Sequence, residues 1–182
     1  MAEDFLYLLE QQSLYRFTGR INLLWGSMRK MEGYLLMKEG NPQFFLFQQD
    51  KGIRGLLKFL LQGDSLKDFS FVMEPEIFNE KIKNIEESLK EIKDLFTQAQ
   101  IQHLQYKAER PPDHLFLKIK PAFVSGKEEI LPPEFDLLCI LSDSSMVKEI
   151  YQQSPYFEFE VTKTLISLRK KGALVVLQQE KS

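Results

Sequence analysis

Between residues 78 and 99 the apolar side chains fall at Phe78, Ile82, Ile85, Leu89, Ile92, Phe96 and Ala99, with Lys and Glu filling much of the intervening chain. Spacing that alternates between four and three residues follows the α-helical turn, so the stretch predicts an amphipathic helix over about residues 77–104. Such a helix must cover its apolar stripe. It either packs on a sheet of its own chain or offers the stripe to a partner or a second copy. Glu86 and Lys90, and Lys90 and Asp94, stand four apart and predict exposed pairs worth about 0.2–0.5 kcal/mol each.

Ahead of this stretch the periodicity changes from helical to alternating. The chain holds 15 Phe in 182 residues, and many of them recur at every second position. Residues 18–24, 33–37, 44–47 and 69–73 read as strands, with Phe69, Phe71 and Met73 on one face and Pro75 as the stop. Lys38-Glu39-Gly40-Asn41-Pro42 is a cluster of turn formers and predicts a hairpin. Residues 5–10 fit a helix or a strand equally well. Gly52-Ile53-Arg54-Gly55 reads as a tight turn leading into a short buried helix over 56–61 that ends at Gly63. These segments predict a small, mainly antiparallel sheet with packed helices.

Pro111-Pro112 interrupts the chain, because a residue before proline avoids the helical region. Residues 115–119 alternate as a strand, 121–129 read as a polar loop, and Pro132-Pro133 marks a second boundary. Three helices come after it, over 134–141, from a Ser144 cap to about 153, and over 158–171. The last would bury Val161, Leu165, Ile166 and Leu168, and Lys170-Lys171-Gly172 closes it with basic residues against its dipole. A strand over 173–177 completes a winged-helix-like module. The predicted fold class is therefore α+β, with two domains, 1–130 and 131–182.

Charge narrows the function. The chain carries 24 Lys+Arg against 26 Asp+Glu, a formal charge of −2, and residues 1–75, 76–130 and 131–182 are each similarly balanced. No basic field gathers phosphates. In the winged-helix-like module the proposed reading helix opens on Glu158 and Glu160, the wrong sign for the turn that approaches DNA bases. Nucleic acid is thus an unlikely partner. The single cysteine, Cys139, excludes an intrachain disulfide; set among apolar neighbours, it reads as a small buried hydrophobe. The acidic Met1-Ala2-Glu3-Asp4 start and the lack of a spanning apolar run predict a cytoplasmic protein with no membrane insertion.

Candidates for chemistry are few. His103 and His114 are the only histidines, and neither has a second ligand at helical spacing. Cys139 has no basic neighbour to make a thiolate. Gly-x-Ser-x-Gly, Walker and Gly-x-Gly-x-x-Gly patterns do not occur. Glu86, Glu87, Glu91 and Asp94 read as a solvated helix face, with nothing to raise a carboxyl pKa for acid catalysis. Gly52-Ile53-Arg54-Gly55 formally matches a nucleic-acid-clamping loop, but with Asp50 beside it. The expectation is a chain that is not an enzyme, with no catalytic, cofactor-binding or metal-binding residues.

In order, these segments resemble PATAN, the bacterial signalling domain first defined at the N-terminus of PatA-type response regulators. Phe17-Thr18-Gly19-Arg20-Ile21-Asn22-Leu23-Leu24 is similar to the opening of a strand in that family, and Glu32-Gly33-Tyr34-Leu35 through Gly40 to its next hairpin. Gly52 with Leu56-Leu57, Phe69-Ser70-Phe71 with Glu74-Pro75, and the helix from Ile77 fit the family's subsequent elements. Leu131-Pro132-Pro133-Glu134-Phe135, Ile150 with Ser154-Pro155, and Leu165, Leu168 and Gly172 resemble the winged-helix-like tail that accompanies it. The first 16 residues and the stretch 25–31 depart from the pattern. The resemblance implies a non-catalytic adaptor that docks other proteins in motility or two-component signalling.

The sequence reading is accordingly a cytoplasmic signalling adaptor whose partner is another signalling or motility protein, or a second copy in a homodimer. Glu86, Glu87, Lys90, Glu91, Arg169 and Lys170 are its candidate partner-binding residues. A winged-helix transcription regulator and a sensor that binds a nucleotide second messenger between sheet and helix are the alternatives. Cofactors are expected to be none.

Overall fold

A computed structural model describes residues 2–78, 82–126 and 128–177. The architecture is α+β, as predicted, and the chain forms two compact units, Met1–Ile101 and Gln102–Ser182. The predicted boundary at residue 130 is therefore corrected. No helix among the described residues is long and apolar enough to cross a membrane.

In the first unit, α1 (Ala2–Leu14) precedes β1 (Gly19–Trp25), β2 (Lys30–Lys38), β3 (Asn41–Phe47) and β4 (Asp50–Lys51). Then come α2 (Gly52–Leu61), a 3-10 turn and β5 (Phe69–Pro75). The sheet is antiparallel in the order β4-β3-β2-β1-β5. Glu39 and Gly40, with φ of 49° and 82°, make the two-residue turn between β2 and β3, whose positive φ values match the twist of the strands. Register places Ile21, Leu23, Leu35, Phe45, Phe47, Phe69 and Phe71 on one face, as the alternation predicts. The ambiguous residues 5–10 are helical, because Phe5 and Leu9 dip from α1 into that face.

Phe59 of α2 is the hub of the core. Its ring centroid lies 5.4 Å from Phe5, 5.8 Å from Phe45, 5.0 Å from Phe47 and 5.4 Å from Phe69. The contacts with Phe5 and Phe69 are edge-on, an arrangement worth about 0.5–1.5 kcal/mol beyond the area buried. Gly52 and Gly55 belong to the first turn of α2 rather than to a turn before it. Gly52 has φ 65°, and a side chain there would meet the Asn84 carbonyl oxygen at 2.7 Å.

The amphipathic helix is shorter at its start and longer at its end than predicted. α3 runs Leu89–Lys107; residues 82–88 are not helical, and 79–81 lie outside the described residues. Two local features set the start. The Asn84 side chain donates to the Phe45 carbonyl at 3.1 Å and accepts from the Phe45 amide at 2.9 Å, while the Asn84 and Ile85 amides both donate to the Gln43 carbonyl. This lays the segment along β3 and drives Ile85 into the core. Ser88 and Glu91 then form a capping box: the Ser88 amide and hydroxyl donate to Glu91 Oε2, each at 2.7 Å, and the Glu91 amide donates back to Ser88 Oγ at 3.3 Å.

The second unit holds β6 (Phe116–Ile119), a one-turn α4 (Pro121–Val124), α5 (Pro132–Asp143), α6 (Val147–Gln153), α7 (Glu158–Lys170) and β7 (Leu174–Leu177). β6 and β7 pair antiparallel, with Leu117 opposite Val176 and Ile119 opposite Leu174. That pairing is why residues 102–130 belong here and not with the first unit. Leu117, Leu137, Leu141, Val147, Ile150 and Leu168 are among its core residues. Several expectations change. α4 replaces part of the polar loop; Ser144 closes α5, while Met146 precedes α6. Cys139 is exposed, because it lies on the outer side of α5. Ile166 is half-buried, whereas Val161, Leu165 and Leu168 are buried as expected.

Replacing Phe59 with Ala is expected to destabilise the first unit by about 3–5 kcal/mol, read as a lower denaturant midpoint for its amides in hydrogen exchange. Ser88→Ala should cost about 1 kcal/mol and speed exchange only in the first turns of α3.

Candidate functional site

The six predicted contact residues fall into two groups, one in each unit. Glu86, Glu87, Lys90 and Glu91 surround the start of α3. Glu86 pairs with Lys83, not with Lys90, because it precedes the helix. Glu87 accepts the Glu86 amide at 3.1 Å. Glu91 is held by its cap: the Ser88 hydroxyl and amide keep its carboxyl below the ordinary carboxylate range. Three of these four side chains therefore have local structural work. Arg169 and Lys170 are exposed in the last turn of α7. Lys170 faces a shallow hollow with Tyr106 and Glu109, whereas Arg169 borders a larger groove.

That groove has a volume of about 450 Å³. Its walls are the 109–112 segment, Leu115, the Leu165, Ile166 and Arg169 side of α7, and strand residues Leu117, Leu174, Val175 and Val176. The lining is mainly apolar, with Glu109, Arg110 and Arg169 as its charged residues. Val176 shares a sheet face with buried Leu117 but is 52% exposed. The inner face of the sheet thus runs out from under the helices at this end.

Arg110 sets the wall of the groove. It pairs with Asp113 at 2.7 Å, lies 3.7 Å from the Glu158 carboxylate and stacks 4.3 Å above the Tyr151 ring. Tyr151 in turn shares a 2.7 Å hydrogen bond with Thr162 of α7. Burial pushes the Tyr151 hydroxyl above its ordinary pKa, against the opposing effects of Thr162 and the Arg110 charge. Sequence reading passes over Arg110, although its spacing from Asp113 across Pro111-Pro112 is a usable signal.

Glu134 enters the sequence reading only as part of a motif, yet it is the most enclosed acid among the described residues, 2% exposed. Its oxygens accept from Lys171 Nζ at 2.6 Å, the Leu131 amide at 2.8 Å and Ser167 Oγ at 2.7 Å. Burial alone would raise its pKa, but Lys171, Leu131 and Ser167 together outweigh it and hold the carboxyl below its ordinary range. The donors are all internal, so this acid joins α5 to α7.

Other chemistry is sparse. His103 shares a hollow of about 300 Å³ with Arg110, Asp113 and Glu158, whose charges already answer one another. No group of three or more His, Cys, Asp or Glu among the described residues is placed to hold a metal ion. The space between the first sheet and α2 is filled by the rings around Phe59.

Because the folded Glu134 carboxyl titrates below its unfolded value, its stabilisation is complete above about pH 4.5 and is lost as pH falls through the folded pKa. The urea midpoint of the second unit should fall over that window in the wild type. Glu134→Gln should start lower at neutral pH and show a flatter profile below about pH 4.5. An unchanged profile would remove Glu134 as the acid-sensitive link.

No protein-family model, curated protein or solved structure matches the chain.

Proposed function

We propose that the chain is a non-catalytic interaction module that docks another protein through the groove of its second unit. The observation that carries this reading is the open, mainly apolar lining, where Val176 and Ile166 stand partly exposed between α7 and β7. Apolar surface of this kind gains stability when a partner covers it. The resemblance to PATAN domains supports a signalling adaptor, with a cytoplasmic setting and a partner from motility or two-component signalling. The two contact clusters expected from sequence are then unequal: Arg169 lies on the proposed surface, while Glu86, Glu87 and Glu91 organise the start of α3.

The winged-helix regulator is the weaker reading. The first turn of α7 carries Glu158 and Glu160, and Glu160 accepts the Phe157 amide at 2.9 Å as a cap. A helix presented to DNA phosphates would meet them with carboxylates.

Site-specific photo-crosslinking in the cells that make the protein tests the docking reading. A benzophenone side chain at Ile166 is expected to yield a discrete protein adduct, and the same group at Lys90 none. Adducts at Lys90 alone would move the contact to the start of α3. Adducts at neither position would end the docking reading.

A further inference from the structure

The second sheet ends at β7. Among the described residues β7 pairs only with β6, so half of its backbone N–H and C=O groups point away from the sheet. Its four residues, Leu174-Val175-Val176-Leu177, contain no charge, proline or glycine. Charge and proline are two of the devices by which proteins keep an edge strand from pairing, so only the shortness of β7 limits pairing at this edge. The groove lies against the same strand: consecutive Leu174, Val175 and Val176 all border it, with Leu117 of β6. Side chains of a strand point alternately to opposite faces, so three in succession reach one hollow only where it extends along the backbone.

The charge of the same groove is unequal. Arg110 is already engaged by Asp113 and Glu158. Arg169 is exposed on α7, with no ion pair among the described residues. Glu109 is the single acidic residue on the lining, against Arg110 and Arg169. An incoming segment with apolar side chains for the hollow and a carboxylate for Arg169 complements all three features.

We infer that β7 takes up an extended peptide of a partner protein as an added strand, with apolar residues filling the groove and an Asp or Glu pairing with Arg169. This rests on the docking reading and specifies its chemistry. Backbone hydrogen bonds to the β7 edge supply affinity, and the hollow and Arg169 supply selectivity. A second copy is less suitable, because two-fold pairing of β7 with itself brings a second Glu109 together with a second Arg110 and Arg169, which leaves the excess of positive charge in place.

The test selects a phage-displayed library of randomised peptides on the whole immobilised protein, with Arg169→Glu as counter-target. Enriched sequences are expected to alternate apolar residues with Asp or Glu, and to bind Arg169→Glu more weakly by about tenfold or more. The tightest peptide, made synthetically, should shift the amide signals of Leu174 to Leu177. Its backbone N-methylated analogue should lose binding, since it lacks the donors an added strand needs. No enrichment, enrichment without acidic bias, full binding by the N-methylated analogue, or shifts confined to other residues would each overturn the inference. So would a concentration-dependent dimer that peptide does not dissociate, which would assign the edge to a second copy. Crosslinks from Ile166 would still stand in any of these cases, so docking and strand addition fail separately.

Discussion

The carboxylate of Glu134 decides where β7 begins. A charged group taken out of water costs several kcal/mol unless its partners are in place, so Leu131, Ser167 and Lys171 have to converge on it. The start of α5 and the end of α7 cannot drift apart without exposing or orphaning that charge. Directly after Lys171 the chain turns at Gly172, with φ 75°, and the Gly172 and Ala173 amides close α7 on the Arg169 and Leu168 carbonyls at 2.9 Å. Ala173 then accepts the Lys120 amide at 2.8 Å as β7 enters its pairing with β6. The groove, its edge strand and the position of Arg169 all inherit their geometry from this buried acid.

Much of the first unit was legible in the sequence because its signals are local. The alternation of Phe45 with Phe47, and of Phe69 with Phe71, reports directly on a sheet face, and Glu39-Gly40 on a hairpin turn. The early start given to α3 shows the limit of periodicity. Ile82, Ile85 and Leu89 keep helical spacing, but Ile85 reaches the core from a non-helical segment held by Asn84. Two cues were present and outweighed: Ser88-Leu89-Lys90-Glu91 has the spacing of a capping box, and Asn favours local backbone bonds over a helix interior.

The second unit was harder to read because its boundary depends on partners far apart in the chain. Phe116 and Leu177 face each other across the small sheet, and no local pattern announces that pairing. Cys139 was misplaced for a related reason: apolar neighbours along the chain do not reveal which side of α5 meets solvent. The candidate site was legible only in part. Arg169 and Lys170 stood out as charges, but the groove that distinguishes them exists only once α7, β7 and the 109–112 segment meet.

The Asn84 amide imitates a peptide group, offering one donor and one acceptor to the backbone of Phe45, and so seals part of the β3 edge. During synthesis the ribosome releases β3 well before Asn84. For that interval the nascent sheet carries an apolar strand whose edge lacks this seal.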